Sequence, residues 1–223
     1  LRVHMLPTDY APNQITMQAT SWGGTSLYPN DEYLQADNAS MISLGGWGTF
    51  TATELQKRLA GIQASVSPTV GDRSEGLRGE CVRKDFETML QLTYLCFTSP
   101  HRDDETFQSY VERLQSYLAN QEMNPMTALQ DSIASVMYNN NVRARRMKSS
   151  DVAGLDYDRL LEIYGERFAN AADFEFYFVG DFRPDSIAPL VARYLGALPA
   201  ATGREKYRIV DNRIVKGEHT CIF

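Results

Sequence analysis

The sequence predicts an α+β fold in which helices pack on a mostly antiparallel mixed sheet, giving a module of two layers. Three features lead to this prediction. Apolar and polar residues alternate near the N terminus and again at residues 174–179. A hairpin pattern spans residues 63–82, and several other segments carry apolar residues three and four positions apart, as amphipathic helices do.

Length and charge set broad limits on the class of protein. The chain has 223 residues, enough for one large domain with a substantial core. No apolar run approaches 18 residues, so no transmembrane helix is predicted. The net charge is −6, and acidic and basic residues are interspersed, which argues against nucleic acid as the main partner.

The first half of the chain reads as strands followed by helices and then a hairpin. A cap at Thr51 or Thr53 starts the second helix, and Gly71-Asp72 forms the hairpin turn. In order, the predicted elements are strands at 1–6 and 15–19, a helix at 32–44 ended by the glycines at 45–48, a short helix at 51–59, and hairpin arms at 63–70 and 74–82.

The second half is mostly helical. A helix at 85–97, capped by Asp85, is apolar almost all round and is therefore predicted to be central. Helices at 103–118 and 125–137 follow, the first capped by Asp103 or Asp104. Residues 155–199 then form a helix capped by Asp156 or Asp158, a strand at 174–179 and a helix at 186–194.

The block at 155–199 also carries a family resemblance. It contains Y-x-x-R-F-x-N-A-x-D-F-x-F-x-F-V-G-D-F over residues 164–182, and its last helix ends in Y-L-G-x-L-P. This pattern resembles a repeat module of the pitrilysin/insulinase (M16) family of zinc metallopeptidases, most of all the large two-half bacterial members. The resemblance extends over residues 1–199 and implies an M16 peptidase-like fold.

The catalytic modules of that family carry H-x-x-E-H on their first long helix, where two histidines bind Zn²⁺ and the glutamate polarises water. Counting back from Gly48-Thr49, the corresponding window is residues 39–43, which reads A-S-M-I-S without histidine or glutamate. The three histidines, His4, His101 and His219, are scattered and read as surface or strand-edge residues. We therefore predict no catalytic, cofactor-binding or metal-binding residue in this chain.

Other reactive groups have simpler explanations. The spacing of Cys81, Cys96 and Cys221 does not match a metal site, and each is interpreted as a small buried hydrophobic residue. Cysteine usage therefore does not indicate a cellular compartment. A catalytic dyad of Cys96 with His101 is not expected, because a thiol buried on an apolar helix would be inert. Acidic residues at 103–105 suit a helix N terminus. The basic residues Arg143, Arg145, Arg146 and Lys148 are interpreted as a solvated loop.

The resemblance implies a role within a larger protein. Family members join modules into two bowl-shaped halves around a chamber for unfolded peptide, and only the first module holds zinc. Residues 1–200 resemble the first module of the second half. Residues 201–223 are interpreted as a linker and the entry strand of a following module, with strand starts at 207–210 and 220–223. On this reading the chain is a piece of a longer protein, and a substrate-holding Arg/Tyr pair of the family would lie beyond Phe223.

We thus expect a non-catalytic domain of a zinc metalloendopeptidase, with Zn²⁺ in the catalytic half of the parent protein. Its partners would be that half or a partner subunit, and unfolded peptide. Trp22 and Trp47 are candidates for facing the chamber, but the preferred interpretation of each is partial packing in the core. Resemblance to the large bacterial members favours the periplasm. Two alternatives remain: a scaffold subunit with no catalytic half in its own chain, and an unrelated α+β binding domain.

Overall fold

The computed structural model describes residues 1–217. His219, Cys221 and the predicted strand at 220–223 lie outside the described residues. Within them, the predicted α+β architecture is confirmed: helices pack on a five-stranded mixed sheet. None of the helices in residues 1–217 is long and apolar enough to cross a membrane.

The sheet has the strand order β1-β7-β2-β6-β5. The terminal strand pair β1–β7 is parallel, and all other pairs in this sheet are antiparallel. The strands are β1 (Arg2–Pro7), β2 (Gln14–Trp22), β5 (Ala64–Val70), β6 (Ser74–Val82) and β7 (Glu175–Gly180); a separate two-stranded ribbon consists of β3 (Gly46–Trp47) and β4 (Phe50–Thr51).

The helices follow the predicted order, with one short addition. They are α1 (Tyr33–Asn38), α2 (Ala52–Arg58), α3 (Phe86–Thr98), α4 (Asp104–Glu122), α5 (Pro125–Met137), α6 (Ser149–Val152), α7 (Tyr157–Phe168) and α8 (Pro184–Leu195). Thr51 forms a capping box with Glu54 at α2, and Asp103 and Asp156 cap α4 and α7 as predicted. Asp85 does not cap α3: its carboxylate accepts from the backbone N–H of Gln63.

The core lies between one face of the sheet and the helices. Ile15, Met17 and Ala19 of β2 point into it, as do Phe176 and Phe178 of β7, which follows from the two-residue period of a strand. The central helix α3 contributes Phe97, whose ring meets that of Phe174 edge-on at a centroid distance of 4.9 Å. The prediction that α3 is central is confirmed, because it contacts β5, β6 and α8.

The predicted helix at 32–44 is wrong in its second half. After α1 the chain tightens into a 3₁₀-helix, Ala39–Gly45. Ala36, Ala39, Ile42 and Gly45 are all buried, and they are spaced three residues apart. Since a 3₁₀-helix has three residues per turn, this winding places small or apolar residues on the core side at every turn.

The glycine-rich segment at 45–48 does more than end a helix. Gly46 and Trp47 pair with Phe50 and Thr51, and Trp47 is buried, so it packs in the core and is not a candidate for facing a chamber. Position 46 requires glycine, because its φ is +106° and a Cβ there would lie 2.3 Å from the carbonyl oxygen of Phe50. Trp22, the other candidate, is 56% exposed.

Residues 207–210 form no strand in the described part of the chain, so their assignment to the entry strand of a following module stays a prediction. Residues 204–216 form neither helix nor strand, although the backbone N–H of Val215 donates to the carbonyl oxygen of Met137 at 2.8 Å. The backbone N–H of Arg208 donates to the hydroxyl of Ser26 (2.9 Å) instead of to a neighbouring strand. Without a partner strand the alternating sequence alone is not enough to form a sheet.

Candidate functional site

The window that would carry the family's zinc motif contains no metal-binding side chain. Ala39 and Ile42 are fully buried, while Ser40, Met41 and Ser43 are half-buried. The hydroxyl of Ser43 donates to the carbonyl oxygen of Ser40 at 2.8 Å, so it is used within the 3₁₀-helix. Catalytic zinc needs imidazole, thiolate or carboxylate ligands, and this segment supplies none.

The structure does not bring the histidines together. His4 in β1 stacks on Tyr177 with centroids 4.6 Å apart, and its Nε2 lies 3.9 Å from a carboxylate oxygen of Glu175. His101 follows α3, and its Nδ1 lies 3.1 Å from the carbonyl oxygen of Gly48. Across residues 1–217, no group of three or more His, Cys, Asp or Glu side chains could hold a metal ion. That this chain carries no metal or catalytic residue stays a prediction.

The other candidate groups have structural partners. Cys96 is fully buried on α3, and this burial raises the pKa of its thiol, which leaves it poorly suited as a nucleophile. Burial likewise raises the pKa of Cys81 to about 12. The carboxylate of Asp103 accepts from the backbone N–H and the hydroxyl of Thr106, and these hydrogen bonds lower its pKa. These residues stabilise the fold and carry no evident chemistry.

The basic segment after α5 is not the solvated loop that the sequence suggested. Arg143 donates to the carbonyl oxygens of Thr25 and Tyr28, which tie this segment to the loop after β2. Two further arginines make bidentate pairs with carboxylates: Arg145 with Asp151 and Arg146 with Asp131. Planar guanidinium groups match carboxylates in this geometry, so these arginines anchor an irregular segment that has little apolar surface.

The face of the sheet opposite the helices is the most extensive candidate surface. Its strands expose polar and aromatic side chains at every second position, because the intervening residues of the same strands point to the other face and fill the core. Across β2, β5, β6 and β7 these residues enclose a shallow concavity of about 690 Å³. The exposed members include Thr16, Gln18, Ser65, Ser67, Arg78, Glu80, Tyr177 and Val179.

The chemistry of this surface is that of binding. Hydroxyl and amide groups can exchange hydrogen bonds with a peptide backbone, and Arg78 and Glu80 offer charges of both signs. Tyr177 adds a flat aromatic surface that is 40% exposed. The two-residue alternation of β2 and β7 predicts which side chains lie on this face, but only the tertiary structure shows that the helices leave it uncovered.

Two curated relatives match most of the chain in sequence. The probable zinc protease PqqL of Haemophilus influenzae is 21% identical over 196 residues, covering 87% of this chain and 21% of the relative. A zinc protease PQQL-like protein of Arabidopsis thaliana is 24% identical over 195 residues, covering 86% of this chain and 18% of the relative. The chain thus spans about a fifth of the length of these relatives. No model of a known protein family matches it.

Solved structures show the same fold. The ferredoxin protease FusC, in complex with Arabidopsis ferredoxin, superposes with a TM-score of 0.77 at 16% identity, over 96% of this chain and 23% of FusC. The periplasmic protease PqqL of Escherichia coli gives 0.75 at 18% identity, over 91% and 22%. A peptidase M16 inactive domain from Pseudomonas fluorescens gives 0.68 at 13% identity, over 92% and 51%.

Sequence and structure thus agree with the resemblance carried by residues 164–182. The two relatives match nearly the whole length of the chain, and each of the three structures covers at least 91% of it. The chain is similar in sequence to the PqqL-type zinc proteases, and it has the fold of an M16 peptidase module.

Proposed function

We propose that this chain is a non-catalytic module of an M16-type zinc metalloendopeptidase and forms part of the wall of its peptide-enclosing chamber. One observation carries the proposal: in a chain with this fold, the window for the zinc motif is A-S-M-I-S, wound into a 3₁₀-helix with Ala39 and Ile42 fully buried. A substitution of one ligand would leave a damaged site. Here no ligand remains, and the residues that point inward, Ala39 and Ile42, pack in the core.

The uncovered face of the sheet is the surface that we assign to the chamber. It is broad and shallow, and it offers polar groups without a deep specific pocket. Such a surface suits extended peptides of varied sequence, because backbone hydrogen bonds and contacts with aromatic rings do not depend on one side chain. FusC, which shares the fold, is a protease in complex with a protein substrate, ferredoxin.

The proposal assigns residues 1–200 to the module and 201–223 to a linker and the beginning of a following module. Zn²⁺ would be held by another part of the parent protein, and the partners of this chain would be the catalytic half and unfolded peptide. Because the structural neighbour PqqL of Escherichia coli is described as a periplasmic protease, we propose the periplasm as the compartment.

A scaffold subunit is the alternative. The same fold and the same empty window would suit a partner protein that completes a chamber around a separate catalytic subunit. The two proposals differ in one observation: an H-x-x-E-H motif in the same polypeptide as this chain supports the first, and its occurrence only in a separate polypeptide supports the second.

Metal analysis tests the non-catalytic assignment. The purified chain, supplied with Zn²⁺ and then dialysed, is expected to retain no stoichiometric zinc and to leave an unfolded model peptide intact. One tightly held zinc per chain would contradict the proposal.

A photo-crosslinking experiment tests the chamber wall. A photoreactive amino acid in place of Tyr177, on the uncovered face, is expected to capture an unfolded peptide. The matched control is the same replacement at Tyr117 of α4, which is 59% exposed on the helical side. Equal capture at both positions, or none at Tyr177, would overturn the assignment of this face.

A further inference from the structure

Residues 201–208, which we call the strap, cross one end of the module without forming a helix or a strand. Although they are mostly exposed, they are bonded to two separate turns of the module. The first turn lies between α7 and β7, at residues 170–173, and the second follows β2, at residues 23–27. A flexible linker that is not attached to the module would not make hydrogen bonds to both of these turns.

Arg167 is the anchor of the strap. The residue is only 7% exposed, and its Nη1 lies 2.7 Å from a carboxylate oxygen of Glu205 in the strap. On the other side, Nε donates to the hydroxyl of Tyr28 at 3.0 Å, and Nη1 lies 3.9 Å from Glu75. The buried arginine therefore joins a core carboxylate to a carboxylate of the strap.

Glu75 fixes the inner end of this arrangement. It is 2% exposed, and its carboxylate accepts from the backbone N–H of Gly24 at 2.7 Å. A buried charge needs both a counter-charge and hydrogen bonds, and Arg167 and Gly24 supply them. The same guanidinium nitrogen, Nη1, lies 3.9 Å from Glu75 and 2.7 Å from Glu205, and Nη2 also donates to Glu205.

Asn170 and Ser26 hold the strap on either side of Glu205. The side chain of Asn170 accepts from the backbone N–H of Ala201 (2.8 Å) and donates to the carbonyl oxygen of Gly203 (3.2 Å). The hydroxyl of Ser26 accepts from the backbone N–H of Arg208 at 2.9 Å. A side chain of the module thus replaces the partner strand that these backbone groups lack.

An aromatic contact holds the C-terminal part of the strap against the module. Tyr207 packs against Trp22 with ring centroids 5.7 Å apart, and the guanidinium carbon of Arg73 lies 5.3 Å from the centre of the Tyr207 ring. Beneath the strap, a cleft of about 280 Å³ remains between it and the module, lined in part by Glu75 and Arg167. The strap is therefore held by a few polar and aromatic contacts and not by a packed apolar core.

We infer that the strap is a latch: Glu205 seats it on Arg167, and it fixes the direction in which the chain leaves the module. The consequence for a following module rests on the proposed function, in which residues 201–223 lead into that module. A seated latch would make the two modules move as one unit, and its release would let them swing apart. Because the contacts are polar and few, release does not require the core to open.

Hydrogen exchange of the backbone amides tests the latch in the chain itself. In the wild type, the amide of Arg208 is expected to be protected relative to its intrinsic rate. In Glu205→Gln, which removes the charge but keeps the shape, this amide is expected to exchange about three to ten times faster, the range for a lost ion pair with one exposed partner. The matched control is Glu162→Gln, which removes an exposed ion pair with Arg159 on α7.

Ser26→Ala provides a second variant that leaves the charges in place. It is expected to remove the protection at Arg208 while core amides such as that of Phe178 keep theirs. An Arg208 amide that is unprotected in the wild type, or one that Glu205→Gln leaves unaffected, would overturn the latch. The exchange measurement uses neither zinc nor peptide. A negative result would therefore reject the latch without affecting the proposed chamber role, and failure of the zinc or crosslinking tests would not affect the latch.

Discussion

The hydroxyl of Tyr164 donates to the carbonyl oxygen of Cys96 at 2.8 Å, and both residues are buried. Cys96 lies near the end of α3, where its carbonyl would normally accept from the residue four positions later. That residue is Pro100, which has no N–H. Tyr164 therefore satisfies a backbone group that the sequence of α3 leaves without a partner, and it joins the central helix to the block that carries the family resemblance.

Tyr164→Phe is expected to lower the free energy of unfolding by about 1 to 3 kcal/mol, because it keeps the ring but leaves the buried Cys96 carbonyl unsatisfied. Urea unfolding followed by circular dichroism measures this change. Tyr194→Phe is the control: its hydroxyl donates to Glu87, whose side chain is 45% exposed, so water can replace the lost partner and the cost should be smaller than for Tyr164→Phe. Equal effects of the two changes would contradict the role of Tyr164.

Gly165 and Gly180 are expected to respond to alanine in opposite directions. Gly165 lies within α7, where a Cβ would meet nothing within 4 Å, so Gly165→Ala should raise the free energy of unfolding by about 0.5 to 1 kcal/mol. Gly180 has a φ of +145°, and a Cβ there would lie 2.1 Å from the carbonyl oxygen of Gln14. Thermal unfolding should therefore show a higher Tm for the first variant and a lower Tm for the second.

The pair of Arg145 and Asp151 should make stability depend on pH. The arginine lowers the pKa of Asp151 below its unfolded value of about 3.9. Its stabilisation is therefore complete above that value and is lost as the pH falls through the folded pKa. Asp151→Asn should cost about 1 to 2 kcal/mol at pH 7, and the difference from wild type should shrink progressively below about pH 4.

The same measurement on Arg145→Gln and on the double variant checks the cause. If the ion pair is responsible, the double variant should lose less than the sum of the two single changes. A difference between Asp151→Asn and wild type that stays constant down to the folded pKa would show that the carboxylate acts in another way.

Neighbouring residues of β7 should differ sharply in their contribution to stability. Phe178 is fully buried against Phe86, with ring centroids 5.6 Å apart, whereas Val179 lies on the uncovered face and is 36% exposed. Phe178→Ala is expected to cost about 3 to 5 kcal/mol, and Val179→Ala under about 1 kcal/mol. Chemical denaturation of both variants measures these losses of unfolding free energy. Similar losses would mean that the uncovered face of the sheet is also covered in solution.

The sequence predicted the regular elements well where a single local signal was strong. The capped helices α2, α4 and α7 begin at the side chains predicted to cap them, and the hairpin arms β5 and β6 pair across their predicted turn. Prediction failed where the environment decides the outcome. The winding of residues 39–45 depends on burial of every third residue, and the path of 204–216 depends on the module beneath it.

The arginines show the same limit for side chains. Nothing near Arg143 or Arg146 in the sequence reveals that the first binds carbonyl groups more than a hundred residues away or that the second pairs with Asp131. The sequence offers the charges, but a pair forms only when the fold brings both groups within hydrogen-bond distance and partly excludes water.

The sequence by itself determined the order of the elements, the resemblance of residues 164–182 and the lack of zinc ligands at 39–43, because periodicity and residue identity are local properties. Only the tertiary structure decided that the helices leave one face of the sheet open, that Arg167 lies between Glu75 and Glu205, and that Tyr164 satisfies Cys96. These relationships join residues that are distant in the chain, and they arise when packing of the apolar faces fixes where each remaining polar group must find a partner.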